Sequence, residues 1–271
     1  MKLPYPLQLH GLTDVGRARS NNEDAFALVP ASGLAVLADG MGGYNAGEVA
    51  SQMLTSFLRD ELGRWLAEAD GAPPAAVQQA MAICVDNANR AIFDSAQDNP
   101  RYAGMGTTLV LAVFRPEGVC LGHIGDSRAY RIRAGRIEQL TRDHSLLQEQ
   151  LDAGLITPEQ AQFAAHKNLV TRAVGVEPQV ELECHAHALQ DGDLLLLCSD
   201  GLSDMVSDAD LLALCQSNND GAADLVSLSQ ALVNAANERG GRDNITAVLA
   251  RVGGGRSGSA PSKPWWGLGR R

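Results

Sequence analysis

No uninterrupted apolar run in this sequence approaches the roughly 18 residues that a membrane-spanning helix requires. The amino-terminal MKLPYPLQLHGLTDVG has neither the long apolar segment nor the small-residue cleavage site of a secretory signal, so a cytoplasmic protein is expected. The cysteines, Cys84, Cys120, Cys184, Cys198 and Cys215, form no C-x-x-C pair and are odd in number. They read as reduced core residues. Cationic excess is absent too: a net charge of −10 argues against a general nucleic-acid binder. Internal repeats are also lacking. What the 271 residues do have is 45% hydrophobic side chains, enough for one substantial core.

Apolar periodicity divides the chain into elements. Short β-like runs come first, at 7–14 (LQLHGLTD), 24–30 (DAFALVP) and 33–39 (GLAVLAD). A helix is expected from about Ala46 to Ala69, where Val49, Met53, Phe57, Leu62, Trp65 and Leu66 recur at helical spacings. DGAPP (70–74) breaks it, and a second amphipathic helix follows over about 75–96. Strands return at 107–115, 118–125 and 128–133. A polar helical insert covers about 143–172; in it TPEQ (157–160) reads as a helix start, Thr157 capping and Gln160 closing a capping box. Strands at 180–189 and 192–200, helices at about 207–216 and 222–238, and a last strand at 244–252 complete the series. Strand groups separated by paired helices predict an α+β fold with mostly antiparallel sheets.

Four carboxylates stand at the edges of these apolar strands. Asp39 ends GLAVLAD, Asp200 ends DLLLLCSD, Asp126 follows CLGHIG, and Asp243 precedes the last strand. Asp-Gly is a favoured hairpin turn. Asp39-Gly40 and Asp200-Gly201, however, each lead into a helical pattern, which a hairpin does not explain. For Asp126, between two strands, a turn and a functional role read equally well. Acids that converge repel and must protonate or bind cations. Oxygen-only donors favour Mg2+ or Mn2+ over zinc. His185 and His187, on one strand face, lack a nearby third ligand and read as ordinary surface or core residues.

Two divalent ions roughly 3.5–4 Å apart on carboxylates are a recurring device for phosphate-ester hydrolysis, activating a water and neutralising phosphoryl oxygens. The bare backbone of Gly40 would let a carbonyl approach such an ion. In RARSNNEDAF (17–26), Glu23 and Asp24 open a strand, and Arg19 upstream offers a guanidinium that fits two phosphate oxygens. Taken alone, that segment reads as an ordinary charged turn.

The segments GRARSNNEDAF, LADGMGG, MGTTLV, HIGDSRAY, LTRDHS, LLLLCSDGLSD and GRDNITAVLARV occur in this order within residues 7–252. Together they resemble the PP2C-type (PPM) metal-dependent serine/threonine protein phosphatases, specifically the compact bacterial members. The resemblance implies a four-layer αββα sandwich, with two central mostly antiparallel sheets flanked by helices. It implies hydrolysis of phosphoserine and phosphothreonine in protein substrates by a metal-activated water, opposing a bacterial eukaryotic-like Ser/Thr kinase. Asp39 would bridge two Mn2+ or Mg2+ ions, with the Gly40 carbonyl on one and Asp200 and Asp243 completing the other. Glu23 and Asp24 would hold the second ion directly or through water. Arg19 would bind the substrate phosphate. Asp126 would help hold a third, weaker ion, and the insert at 143–172 would be a mobile flap. Where family members often carry a histidine near the metals, this chain has Met41 and Tyr44. A metal-bound water, or His144 on the flap side, is then the stand-in for the general acid.

Two other readings stand beside this one. A hydrolase of small phosphate esters would use the same site. A pseudophosphatase binding module is disfavoured by the presence of Asp39, Asp200 and Asp243. The expected catalytic domain is 1–252, a monomer, followed by a flexible basic tail at 253–271 that carries Trp265 and Trp266. The tail reads first as a disordered end, and second as a segment that docks on an anionic membrane or a partner's groove.

Overall fold

The computed structural model describes residues 3–43, 46–161, 169–217 and 224–253. Tyr44, the 162–168 part of the expected flap, and the tail beyond Gly253 lie outside the described residues. In chain order the elements are β1 (Leu7–Asp14), β2 (Asp24–Val29), β3 (Leu34–Met41), α1 (Ala46–Phe57), a π-helical turn (Leu58–Leu62), α2 (Gly63–Glu68) and α3 (Pro74–Asp98). There follow β4 (Gly106–Thr107), β5 (Leu109–Arg115), β6 (Gly118–Ile124), β7 (Arg128–Arg133), β8 (Arg136–Gln139), α4 (Leu146–Asp152) and α5 (Pro158–Ala161). The last are β9 (Glu183–His187), β10 (Leu194–Cys198), α6 (Asp200–Ser203), α7 (Asp208–Ser217), α8 (Leu225–Glu238) and β11 (Ile245–Val252).

The strands form two antiparallel sheets. One runs β1-β11-β10-β7-β8, the other β2-β3-β5-β6-β9, with β4 added at the end of β3. Successive side chains of a strand face opposite ways, and β3 shows what that does here. Leu34, Val36 and Ala38 pack with Leu54, Met81 and Val85 of the helices. Ala35 and Leu37 pack with Leu195, Leu197 and Val248 of the other sheet. A third apolar layer joins Leu196 and Leu249 to Leu211, Leu228 and Leu232 of α7 and α8. Three apolar layers between four structural ones make the expected αββα sandwich. A strand buried on both faces has no reason to alternate with polar residues, so GLAVLAD is apolar up to its final Asp39.

Several boundaries differ from expectation. The helix read as continuous from Ala46 widens into a π-helical turn at Leu58–Leu62 before α2. The strand read at 107–115 breaks at Thr108. The short edge strand β8 was not expected at all. The capping box does form: Thr157 Oγ1 accepts from Gln160 N–H (3.3 Å), and Gln160 Oε1 accepts from Thr157 N–H (2.9 Å). All five cysteines are free. No described helix is long and apolar enough to cross a membrane.

Candidate active site

Sheet pairing brings the acids of distant segments to one end of the sandwich. Asp24 opens β2 directly opposite Asp39 near the end of β3. In the other sheet, Asp200 begins α6 just past β10, and Asp243 lies just before β11, the antiparallel neighbour of β10. Asp126 occupies the turn between β6 and β7. The charge on Asp39 is felt against those of Asp24, Asp200, Asp126 and Asp243.

Hydroxyl groups fix the floor of this ring. Asp24 is buried, and its Oδ2 accepts from Thr246 Oγ1 (2.6 Å) and Ser199 Oγ (2.8 Å). Its Oδ1, also buried, has no partner. The backbone of Asp39 is held on both sides: its N–H donates to Thr108 Oγ1 (3.0 Å), and its carbonyl accepts from Thr108 N–H (2.8 Å) and Thr107 Oγ1 (2.9 Å). These bonds explain the break at Thr108, where β3 passes from β5 to β4.

The Asp-Gly pairs are points of close approach rather than hairpin turns. A Cβ on Gly40 would lie 2.1 Å from the Gly47 carbonyl oxygen, and one on Gly201 would lie 2.0 Å from that of Asn244. Only glycine lets α1 and β11 come so near the two aspartates.

Arg19 reaches the ring from the loop before β2. Its Nη2 donates to Asp243 Oδ2 at 2.7 Å. Asn244 holds that loop: its Nδ2 donates to the carbonyls of Val15 (3.0 Å) and Asn21 (2.8 Å), and its Oδ1 accepts from Glu23 N–H (2.8 Å). Asn244, Ser199, Thr246, Thr107 and Thr108 were not singled out from the sequence. The available signal was that Ser199 flanks Asp200, and that Asn244 and Thr246 follow Asp243.

Electrostatics mark the ring as unbalanced. Burial, and then repulsion from Asp24 and Asp200, hold the Asp39 carboxyl well above the usual range. Burial, Asp126 and Asp204 do the same to Asp200. Asp24 is pushed up to about 6 by burial, against the lowering effect of its Thr246 and Ser199 bonds. Burial and Asp143 push Asp126 to about 6, and burial raises Glu23. Clustered carboxylates of this kind either hold protons or neutralise one another on cations. The residues fit hard divalent ions: the donors are all oxygen, and the buried Asp24 Oδ1 lacks a partner.

His144 is not poised as an acid. It is buried, its Nδ1 accepts from Gly125 N–H (3.2 Å), and its Nε2 contacts Glu183 Oε2 (3.0 Å). Both ring nitrogens are occupied, so neither is left for a leaving group. Met41 pairs with Gly106 at the end of β3 and brings no titratable group.

A family model described as protein phosphatase 2C matches residues 16–250. The chain belongs to that family. It is 38% identical over 250 residues to the protein phosphatase PhpP of Streptococcus pneumoniae, covering 91% of this chain and 98% of that one. The serine/threonine phosphatase of S. agalactiae superposes with a TM-score of 0.83 at 36% identity, covering 91% of this chain and all (100%) of that one. The catalytic domain of the serine/threonine phosphatase PstP, solved with two manganese ions, superposes at 0.79 with 36% identity, covering 91% and 98%. By family and by these relatives, this protein phosphatase 2C member is a protein serine/threonine phosphatase.

Proposed function

We propose that this phosphatase removes phosphate from phosphoserine and phosphothreonine in proteins, opposing a Ser/Thr kinase, with two Mn2+ or Mg2+ ions in the carboxylate ring. The observation that carries the reading is the ring itself: Asp24 directly opposite Asp39, Asp39 and Asp200 held well above the ordinary carboxylate range, and a buried oxygen of Asp24 unpartnered. In this reading Asp39, the Gly40 carbonyl, Asp200 and Asp243 would hold the ions. Glu23 and Asp24 would contribute directly or through water, and Asp126 would help to hold a third, weaker ion. When bound, the ions supply the nucleophilic water and neutralise charge on the phosphoryl group.

The chain's own residues orient the substrate and the site. Arg19, now on Asp243, swings to two phosphate oxygens, because a guanidinium matches that geometry. Asn244 keeps the Arg19 loop in register with Asp243. Ser199 and Thr246 hold Asp24 so that one oxygen faces the ring.

The test is release of inorganic phosphate from a phosphothreonine peptide with Mn2+, with Mg2+ and with a chelator. Metal-dependent release is expected. Full activity in chelator would end the reading. The same assay on a small aryl phosphate separates a protein phosphatase from a general esterase, by the ratio of kcat/KM values.

A further inference from the structure

Edge strand β9 carries Glu183, His185 and His187 at alternate positions, so all three share one face. Across the ladder, His123 of β6 lies opposite Glu183, and Leu121 lies opposite His185. His144, at the start of the 143–172 insert, stacks on His123 with ring centroids 4.7 Å apart and planes tilted by 20°. Glu183 joins the groups: its Oε2 is 3.0 Å from His144 Nε2, and its Oε1 is 2.7 Å from His185 Nε2. One ligating atom from each of His123, His144 and Glu183 lies within 4.8 Å of the other two, the only such group among the described residues.

The donor set differs in kind from the carboxylate ring. His123 Nε2 lies 2.8 Å from the Arg142 carbonyl. A carbonyl has no proton to give, so His123 donates there and its Nδ1 keeps a lone pair. An imidazole oriented through its other nitrogen by a carbonyl is the usual setting of a metal-ligating histidine. Burial favours the neutral form of His123. Burial also opposes the charge on Glu183, but hydrogen bonds from His185 and His144 outweigh it and keep the carboxylate ionised, down at about 2. Imidazole with carboxylate suits zinc, cobalt, nickel or copper ions. Mg2+ and Ca2+ prefer oxygen alone.

We propose that His123, His144 and Glu183 form a transition-metal site separate from the carboxylate ring, with His185 bracing Glu183 at its edge. An ion has a route in from solvent, because His185 is exposed on an edge strand and Glu183 is partly open.

Filling the site has a consequence for the turn that holds Asp126. In the metal-free arrangement His144 Nδ1 accepts from Gly125 N–H, so the ring proton is on Nε2 and is donated to Glu183. An ion on Nε2 displaces that proton, and a neutral ring then carries its proton on Nδ1. One proton leaves and one is gained, so the charge of the ring is unchanged. Two N–H groups now face each other, and the Gly125–His144 bond is lost. Gly125 immediately precedes Asp126. The ion and the Asp126 turn are thereby coupled, and such coupling is reciprocal.

The alternative is that these contacts only brace the insert against the sheet. Co2+ distinguishes the two. A tetrahedral Co2+ site with nitrogen donors absorbs strongly in the visible, whereas six-coordinate Co2+ on oxygen absorbs weakly. Full-length protein saturated with Mg2+ should take up one equivalent of Co2+ with a strong visible band, displaced by Zn2+. Glu183→Gln and His123→Asn should each weaken that binding by at least about tenfold. Circular dichroism checks that both remain folded; Glu183→Gln is isosteric and lies on an edge strand. Absence of the strong band, a band of thiolate character, or a band unchanged in folded Glu183→Gln would overturn the site. Zn2+ should also speed amide exchange at Gly125. Unchanged exchange there, with the band present, would overturn the coupling.

Discussion

Asp24 and Asp39 face each other across the β2–β3 ladder, one carboxylate on each strand at the same rung. Like charges placed directly opposite destabilise a sheet. Here the cost is kept in the fold because the pair opens onto Asp200, Asp126 and Asp243.

That pairing predicts how the metal-stripped protein responds to pH. The Asp24 carboxyl is pushed up to about 6, and Asp126 likewise. A carboxyl with a higher pKa folded than unfolded makes the folded state bind more protons, so stability falls as pH rises from about 4 through about 6 for this pair, and Asp39 and Asp200, held well above the usual range, act in the same direction. Chelator-treated protein should melt higher at about pH 5.5 than at about pH 7.5. Saturating Mn2+ should raise the melting temperature at the higher pH, because it binds only the folded form. Scanning calorimetry with and without chelator reads both effects. A metal-free midpoint that climbs with pH would remove the argument.

Asp39→Asn should lose turnover and gain metal-free stability at once. The substitution takes away the shared charge while keeping the side chain's shape. Asp243→Asn should also lose turnover. The measurements are kcat on a phosphopeptide and the melting temperature in chelator. A folded Asp39→Asn with near-normal kcat would contradict its role.

Arg19→Ala should lower kcat/KM by roughly ten- to more than a hundredfold, from the loss of a charge-assisted hydrogen bond worth about 1.5–3 kcal/mol. Arg17→Ala is the control. Steady-state kinetics decide between them: the larger loss at Arg17 would mean that the wrong arginine carries the phosphate.

Arg128 grips Asp143 through Nε (3.0 Å) and Nη2 (2.7 Å), and Tyr130 and Gln139 complete the cluster at the root of the 143–172 insert. Arg128→Ala strands a largely buried carboxylate and should cost about 3 kcal/mol. For a chain of this size that is a fall of roughly 2–4 °C in Tm per kcal/mol. Chemical denaturation at neutral pH measures it. A loss no larger than that of an exposed pair such as Arg59–Asp60 would show the clamp to be ornamental to stability.

The sequence made the two-sided burial of β3 legible, because an apolar run ending in Asp-Gly has few other uses. The first strand, Leu7–Asp14, matches its expected bounds. β8 was missed because four residues ending in a polar pair carry too short a pattern to separate from a loop. The π-helical turn after Phe57 was missed because it keeps the apolar spacing of an ordinary helix nearly intact. Within the site, the ordered carboxylates were readable. The hydroxyls that aim them were not, since Ser199 and Thr246 matter only through their contact with Asp24. His185 and His187 were dismissed for want of a third ligand. His123 and His144 lie on other segments, and only the pairing of β6 with β9 brings His123 to Glu183.

β11 lies between β1 and β10, and every residue of β1 pairs with it, from Leu7 with Val252 to Asp14 with Ile245. A chain emerging from the ribosome therefore carries its first strand unpaired until nearly the last residues of the catalytic region appear. The base of that late strand also delivers Asp243. A nascent chain that ends before Asp243 has an open sheet and an incomplete carboxylate ring together. Topological closure and the last acid of the carboxylate ring come from one short stretch, Asp243 and the eight-residue strand just after it, and a translation product that ends before Asp243 lacks both.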